Sequence, residues 1–369
     1  MALLEIENLI VAFPSLAATG RAVDGVSITV AEGQSLGVVG ESGSGKSLTM
    51  LAVMGLVPYP GQLTADRLAF KDRDLTRLSG RERLRLAGKS MAMIFQDPMT
   101  SLNPCFTVGF QLLETLRVHE KMDRKAARRR AIALLEQVGI PAAESRMGAF
   151  PHQLSGGMNQ RVMIAMAIAC QPDLLIADEP TTALDVTVQA QILELLRTLQ
   201  RDRGMALILV SHNMDVVAET ARRVAVMYAG QIVEERDTAG LFGAPQHPYT
   251  AALLAARPRP YPPLPLRLPS PYPLPQAEEG QGGGTGEGRK GAESTRLVTI
   301  PGTPPGLNDR PRGCLFGPRC AYATERSCAT QPEIRPWMDG RIRCHYPLGD
   351  PDRNSRIAAD GLVGAKRVP

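Results

Sequence analysis

The sequence contains no long run of apolar residues. Its most strongly apolar segments, such as VMIAMAIAC, fall well short of the roughly 18 residues that a membrane-spanning helix needs. The opening residues, MALLEIENLIVAF, have no basic start and carry Glu5 and Glu7, which excludes the pattern of a secretory signal. The net charge of +5 at pH 7 is too weak to indicate nucleic acid or anionic lipid as a partner. We therefore expect a cytosolic chain that works at a membrane only if partner proteins hold it there.

The 369 residues are enough for two domains, and residues 1–255 have the pattern of an α/β domain. The short apolar runs SLGVVG, LLIAD and ALILVS are typical of buried strands, and VAVMYAGQIVEE is typical of a late hairpin. Helical patterns separate these runs, and we interpret the basic stretch RKAARRR as a solvated helix face rather than a nucleic-acid contact. The apolar residues predicted to share one face of that helix are Ala127, Ala131, Leu134, Leu135 and Val138.

The composition changes sharply after residue 255. Residues 256–296 are rich first in proline and then in glycine, which predicts a linker without a core. Residues 297–350 contain four of the six cysteines and form a candidate Cys-rich module. Residues 351–369 are polar and are expected to be a disordered tail.

The segment GESGSGKS directly follows the strand SLGVV and matches the phosphate-binding loop pattern. Its glycines allow backbone N–H groups to surround phosphates, Lys46 supplies a charge to the outer two phosphates, and Ser47 offers a hydroxyl to Mg²⁺. The alternative is an ordinary Gly-rich turn before a helix. The candidate nucleotide-binding residues are Gly40, Glu41, Ser42, Gly43, Ser44, Gly45, Lys46, Ser47 and Leu48.

Two further motifs point to nucleotide hydrolysis. LLIADEP ends an apolar strand in Asp178, placed to reach Mg²⁺ through water, and in Glu179, which could orient and deprotonate an attacking water. LSGGMNQR places small residues at the start of a helix, where free N–H groups attract an anion. The alternative for LLIADEP is a strand that ends in two solvated acids, and the alternative for LSGGMNQR is an ordinary helix cap. Since one phosphate loop is already present, the anion-binding residues Ser155, Gly156 and Gly157 are expected to face a nucleotide held by another subunit.

LSGGMNQR resembles the signature motif of ABC-type ATPases, and the other motifs of that family occur in order. The resemblance implies a P-loop NTPase core with a helical subdomain at about 97–172, and a head-to-tail pair of ATPase domains that encloses ATP. It also implies that Phe13 stacks on adenine and that Gln96, in IFQDP, contacts Mg²⁺ and the attacking water. Asp185, in TTALD, matches a dimer-contacting acid, and His212, in LVSHN, matches the histidine that touches the γ-phosphate. Glu179, His212 and Gln96 are the implied catalytic residues.

Other segments resemble the subfamily that powers dipeptide and oligopeptide importers, with nickel importers as near relatives. These are FQDPMTSLNPCFTVG, HPYTAALL, IPGTPPGL and GCLFGPRCAYA. The resemblance implies a peripheral protein on the cytoplasmic side of the bacterial inner membrane, with two permease subunits, a substrate-binding protein and a second, similar ATPase. The alternatives are a nickel or other small-solute importer and a soluble ABC ATPase acting on nucleic acid or ribosomes. The sequence has one ATPase cassette and no heptad run, which argues against the latter.

The cysteines of the module are spaced C-x5-C-x7-C-x15-C. A reducing cytosol argues against disulfides, and zinc ligands more often occur as close C-x₂₋₄-C pairs. Four thiolates at looser spacing suit an iron–sulfur cluster, and the subfamily resemblance also favours a [4Fe–4S] cluster. Structural Zn²⁺ is the alternative. The predicted ligands are Cys314, Cys320, Cys328 and Cys344.

Overall fold

The computed structural model describes residues 2–14, 19–182, 184–257 and 299–364. Strands and helices alternate along most of the chain, as expected for an α/β protein. The strands are β1 (Ala2–Pro14), β2 (Thr19–Ala31), β3 (Ser35–Val39), β4 (Gln62–Thr64), β5 (Arg67–Phe70), β6 (Arg73–Asp74), β7 (Met91–Ile94), β8 (Leu174–Asp178), β9 (Ala206–Ser211), β10 (Arg223–Tyr228), β11 (Gln231–Asp237), β12 (Arg335–Trp337) and β13 (Gly340–Ile342).

The helices carry the remaining regular structure. They are α1 (Lys46–Met54), α2 (Gly80–Leu86), α3 (Pro98–Ser101), α4 (Val108–Glu120), α5 (Arg124–Gln137), α6 (Ala143–Arg146), α7 (Gly156–Ala167), α8 (Val186–Arg203), α9 (Met214–Thr220), α10 (Thr238–Gly243), α11 (Pro248–Ala255), α12 (Glu325–Ala329) and α13 (Arg353–Ala359). None of these helices combines the length and the apolar character needed to cross a bilayer, within the ranges that the structure describes.

The strands form two sheets. One is antiparallel, with the order β2-β1-β5-β6 and with β4 paired to β1. The other has the order β12-β13-β11-β10-β3-β9-β8-β7, and its strands from β10 to β7 are parallel. The carboxyl ends of these parallel strands therefore lie at one edge of the sheet, where ligands of open α/β sheets bind.

The central strands are buried on both faces. Every residue of β3, β8 and β9 is buried, which confirms the prediction from their short apolar runs. Successive residues of β3 point into different cores: Val38 packs with the antiparallel sheet, and Val39 packs with the helices of residues 98–167. The predicted hairpin is present as the antiparallel pair of β10 and β11.

The segment between β7 and β8 contains α3 to α7, within the residues 97–172 that the resemblance assigns to a helical subdomain; that assignment stays a prediction. Asp123 caps α5 by accepting hydrogen bonds from the amides of Lys125 and Ala126. The apolar face predicted for α5 is buried in the core shared with α4 and α7. The basic residues of α5 lie outside this apolar stripe.

Residues 299–350, the described part of the candidate Cys-rich module and called the C-terminal module below, continue the main sheet. Strand β13 pairs antiparallel with β11 through Glu234 with Ile342 and Glu235 with Arg341. The linker expected at 256–296 lies outside the described residues except for positions 256 and 257. Hydrogen-bonded strand pairing is thus one of the contacts that join the module to the ATPase core.

The end of the chain differs from the sequence expectation of disorder over 351–369. Helix α13 occupies Arg353–Ala359, and Ile357 on it is buried. Arg356 anchors the helix by donating hydrogen bonds to the Asp350 carboxylate and to the carbonyl of His345. The polar composition hides this helix, because one buried isoleucine and one arginine are enough to dock it. Residues 365–369 lie outside the described residues.

Candidate functional site

The predicted phosphate-binding loop connects β3 to α1, as its strand–loop–helix pattern requires. Gly40 and Gly45 both have positive φ, at 154° and 95°. A Cβ at Gly40 would lie 2.2 Å from the carbonyl oxygen of Met227, and one at Gly45 would lie 2.8 Å from that of Ala22. Only glycine therefore fits these two positions, and the loop can curl tightly at the start of α1.

Lys46 is folded over this loop. Its Nζ atom donates hydrogen bonds to the carbonyl oxygens of Gly40, at 2.8 Å, and Glu41, at 3.0 Å. Burial lowers the pKa of Lys46, and the nearby carboxylates of Glu179, Asp178 and Glu41 oppose that shift. A buried ammonium surrounded by carbonyl and carboxylate oxygens is ready to exchange these partners for phosphate oxygens.

The remaining loop residues differ in exposure. Ser42 and Gly43 are exposed, Ser44 is buried, and Leu48 packs against the core beneath the antiparallel sheet. Phe13, on β1, is half-buried and lies against Gly61, where a Cβ would come within 2.9 Å of its ring. An adenine base would stack on the face of this ring.

Ser47 and Asp178 meet at the carboxyl edge of the sheet. The Ser47 hydroxyl donates a hydrogen bond to Asp178 Oδ1 at 2.9 Å. Burial raises the pKa of Asp178, while the hydrogen bond from Ser47 lowers it. A hydroxyl and a carboxylate side by side are oxygen ligands of the kind that Mg²⁺ prefers, so this pair fits the predicted ion.

Three residues from different strand ends converge on one carboxylate. Gln96 Nε2 donates to Glu179 Oε2 at 3.0 Å, and His212 Nδ1 lies 3.2 Å from Glu179 Oε1. The hydroxyl of Thr182 also donates to Glu179 Oε2, at 3.0 Å. Glu179 has a φ of 47°, which is uncommon for a residue with a side chain and is often found at functional sites. The structure thus brings together the three predicted catalytic residues.

The residues of the predicted signature motif make contacts at their own helix start. The Ser155 hydroxyl accepts a hydrogen bond from the amide of Met158, at 3.3 Å, and Asp185 likewise caps α8 by accepting from Val188. Ser155, Gly156 and Asp185 are exposed, and Gly157 packs against Val188. Their exposure leaves them accessible to another subunit, and the expectation that the motif faces one stays a prediction.

Sequence reasoning missed two residues that hold the phosphate-binding loop from a distance. The hydroxyl of Tyr249, in the segment HPYTAALL, accepts a hydrogen bond from the backbone N–H of Glu41 at 2.9 Å. Arg319, from the C-terminal module, forms two hydrogen bonds with the Glu41 carboxylate, at 2.8 and 3.0 Å. The only signals in the sequence were the two segments that resemble the peptide-importer subfamily, and neither indicates which loop they contact.

The four module cysteines are free thiols. Burial, with a smaller contribution from the charge of Cys314, raises the pKa of Cys320 to about 12. The pKa of Cys344 is also raised, by burial and then by the charges of Cys314 and Cys320. Within the described residues, however, no three His, Cys, Asp or Glu side chains are arranged to hold a metal ion. The predicted metal site is therefore not assembled in this structure, and the cluster and zinc stay predictions.

Comparison with known proteins places these features in a family. The family model described as ABC transporter matches residues 23–182, and the one described as the C-terminal region of oligopeptide/dipeptide transporters matches 233–283 and 289–328. The dipeptide transport ATP-binding protein DppD of Escherichia coli (strain K12) is 52% identical over 354 residues, covering 96% of this chain and 99% of that protein. The oligopeptide transport ATP-binding protein OppD of Bacillus subtilis (strain 168) is 46% identical over 333 residues, covering 90% and 85%.

A solved structure agrees with the fold. A dimeric ATP-binding cassette in a post-hydrolysis state, bound to ADP and Pi, superposes with a TM-score of 0.57 at 26% sequence identity. The match covers 64% of this chain and 98% of that one. The expected P-loop NTPase fold is confirmed, and so is the resemblance to ABC-type ATPases. The chain belongs to the family of ABC transporter ATP-binding proteins that includes these dipeptide and oligopeptide transport subunits.

Proposed function

We propose that this chain hydrolyses ATP to drive the import of dipeptides or oligopeptides, as a peripheral subunit on the cytoplasmic side of a bacterial inner membrane. The observation that carries the proposal is the convergence of Gln96 and His212 on Glu179, beside the Ser47–Asp178 pair and Lys46. Similarity to peptide-transport ATPases over nearly the whole chain supports peptides as the cargo.

In this proposal the phosphate loop binds the triphosphate of ATP. Backbone N–H groups of residues 40–45 and the Lys46 ammonium surround the phosphates, and Phe13 stacks on the adenine. Ser47 and Asp178, with Gln96, would hold Mg²⁺. Once bound, that ion neutralises charge that develops on the transferred phosphoryl group.

Glu179 acts on the attacking water. Its carboxylate accepts a proton from the water, and its hydrogen bonds with Gln96 and Thr182 fix its orientation. His212 is 60% exposed on the opposite side of the carboxylate, where its ring can reach a γ-phosphate. A base held on three sides is pre-organised for this role.

A second ATPase subunit completes the site. Ser155, Gly156 and Gly157 at the start of α7 would bind the nucleotide held by that subunit, and Asp185 would contact the facing loop. The exposure of Ser155, Gly156 and Asp185 supports this arrangement. We propose a similar rather than identical partner, together with two permease subunits and a substrate-binding protein.

The surface of α4 supports a permease contact. Phe110 and Val118 are 48% and 66% exposed, and Phe106 stacks on Phe110 with ring centroids 4.6 Å apart. A cavity of about 630 Å³ lies beside them and is also lined by Leu113 and Met122. Exposed aromatic residues beside a groove are typical of protein interfaces.

We retain the [4Fe–4S] cluster as a proposal for Cys314, Cys320, Cys328 and Cys344, with structural Zn²⁺ as the alternative. The cysteine spacing and the resemblance to peptide-importer ATPases support it, while the side chains would have to rearrange to bind a metal, since no three of them are placed to hold one among the described residues. The test is anaerobic purification of the full chain and measurement of iron, sulfide and zinc. About four irons and four sulfides per chain would support the cluster, and one zinc per chain would support the alternative. A protein that contains no iron, sulfide or zinc would refute both.

The transport proposal is tested by reconstituting the chain with its permeases and binding protein in vesicles. We expect peptide-loaded binding protein to stimulate ATP hydrolysis and to drive uptake of labelled peptide, and Glu179→Gln to abolish both. Competition between peptides and Ni²⁺ for the binding protein identifies the cargo. An ATPase that ignored the permeases but responded to nucleic acid or ribosomes would refute the proposal.

A further inference from the structure

The C-terminal module sends one buried arginine into the nucleotide-binding part of the protein. Arg319 is only 4% exposed, and its guanidinium forms a two-pronged pair with the carboxylate of Glu41, the second residue of the phosphate-binding loop. Arg319 also donates hydrogen bonds to the carbonyl of Pro301 and to the hydroxyl of Tyr228. Such a bidentate pair fixes the orientation of the Glu41 carboxylate and also neutralises its charge.

The backbone of Glu41 makes three hydrogen bonds that hold the loop in place. Its carbonyl accepts hydrogen bonds from Lys46 Nζ and from the amide of Ser44, at 3.0 and 3.2 Å. Its own amide donates to Tyr249. Holding the Glu41 side chain therefore also holds the carbonyl that orients the phosphate-binding lysine.

The charge of Glu41 is a problem that Arg319 solves. A carboxylate within this loop would repel a bound triphosphate, because both carry negative charge at neutral pH. Glu41 is also in direct contact with the group that would bind phosphates, because Lys46 Nζ donates a hydrogen bond to its carbonyl. Arg319 neutralises this carboxylate on the side away from solvent.

Arg319 lies next to a packed aromatic cluster. It ends a short turn, Gly317–Arg319, that lies between Cys314 and Cys320. The ring of Phe316, just before this turn, packs on the rings of Tyr228 and Tyr249, with both centroid distances at 5.3 Å. The aromatic cluster thus joins the cysteine turn of the module to the two tyrosines beside the loop.

We infer that Arg319 is a positioning residue for ATP binding: by clamping and neutralising Glu41, the C-terminal module becomes part of the nucleotide site. This inference rests on the proposed role of residues 40–47 in binding phosphates. It assigns the module a direct effect on nucleotide affinity, beyond its attachment to the ATPase core.

The test measures dissociation constants of ATP, ADP and AMP for the full-length chain by titration calorimetry. We expect Arg319→Ala to weaken ATP binding about tenfold, which corresponds to about 1.4 kcal/mol. The binding of ADP should weaken about threefold and that of AMP hardly at all, because the repulsion between the unpaired Glu41 carboxylate and the nucleotide grows with the number of phosphates. Arg319→Lys, which keeps the charge but loses the fork, should give an intermediate loss for ATP.

A second substitution separates charge neutralisation from simple undocking of the module. In the Arg319→Ala background, Glu41→Gln removes the unpaired carboxylate, so ATP affinity should return to within about twofold of the wild type. Arg341→Ala is the matched control, because Arg341 also joins the module to the core, through Glu235. It should leave ATP affinity unchanged.

The outcomes distinguish the inference from the proposed function. Lys46→Ala should abolish ATP binding, and unchanged binding would refute the proposed nucleotide site. If Lys46→Ala has that effect but Arg319→Ala binds ATP normally, the inference is wrong. It is also wrong if Arg319→Ala weakens ATP, ADP and AMP equally and Glu41→Gln restores nothing. Circular dichroism checks folding, and if Arg319→Ala does not fold, the same comparison is made with Arg319→Lys.

Discussion

A buried histidine should make the stability of this protein depend on pH. His247 is 1% exposed, and its Nδ1 atom caps α11 by accepting a hydrogen bond from the amide of Tyr249 at 3.0 Å. Burial lowers the pKa of His247 from 6.5 to about 3. The folded protein thus holds this ring neutral at a pH where the unfolded chain binds a proton.

The sign and size of the effect follow from this difference. The stabilisation is complete above the unfolded pKa of 6.5 and is lost as the pH falls toward 3. Since each pH unit below 6.5 costs about 1.4 kcal/mol, acidification from pH 7 to pH 5 should remove about 2 kcal/mol. For a chain of 369 residues that corresponds to a fall in Tm of about 2 to 3 °C.

The matched variant is His247→Asn. Asparagine is a good helix cap and does not titrate, so the variant keeps the hydrogen-bond acceptor and loses the proton-binding group. Other groups titrate in both proteins, among them the buried carboxylate of Glu234, which accepts a hydrogen bond from the amide of His247. Their contributions to the pH dependence cancel when the two proteins are compared. Thermal unfolding at pH 5, 6 and 7 gives the change in Tm with pH for the wild type and for the variant, and we compare these two slopes. Identical slopes would show that His247 is not the cause and would refute the reasoning.

Three further predictions concern the nucleotide site. Glu179→Gln keeps the size of the side chain but removes the base, so hydrolysis should fall by about 10² to 10⁴ while ATP binding remains; an equal loss of binding, measured by calorimetry, would contradict this role. Gly45→Ala would bring a Cβ within 2.8 Å of the Ala22 carbonyl at a φ of 95°, so it should abolish nucleotide binding and lower the unfolding free energy by about 1 to 3 kcal/mol. Tyr249→Phe leaves the amide of Glu41 without its acceptor and should cost about 1 to 3 kcal/mol in chemical denaturation, and a variant as stable as the wild type would exclude this hydrogen bond as a stabilising contact.

The local motifs could be interpreted from the sequence because their geometry is local. A glycine-rich loop between a buried strand and a helix can adopt few conformations, so the place of Lys46 and Ser47 follows from the order of residues alone. The meeting of Ser47 with Asp178 also follows, because parallel strands end at one edge of a sheet. The roles of Gln96 and His212 came from the family resemblance, and the fold brings both to Glu179.

The contacts of the C-terminal module could not be predicted in this way. Arg319 and Glu41 are 278 positions apart, and an arginine near a cysteine pattern gives no sign of which carboxylate it pairs with. Helix α13 was likewise hidden, since its polar sequence shows neither the burial of Ile357 nor the anchoring of Arg356.

By itself, the sequence determined the nucleotide-binding loop, the buried strands and the family, because each depends on residues that are neighbours in the chain or on a motif order shared with relatives. Only the tertiary structure decided that the module extends the main sheet through β13 and that Arg319 reaches the phosphate-binding loop. The physical reason is that ion pairs and strand pairing are satisfied by partners that folding brings together, and their choice depends on the packing of the whole core.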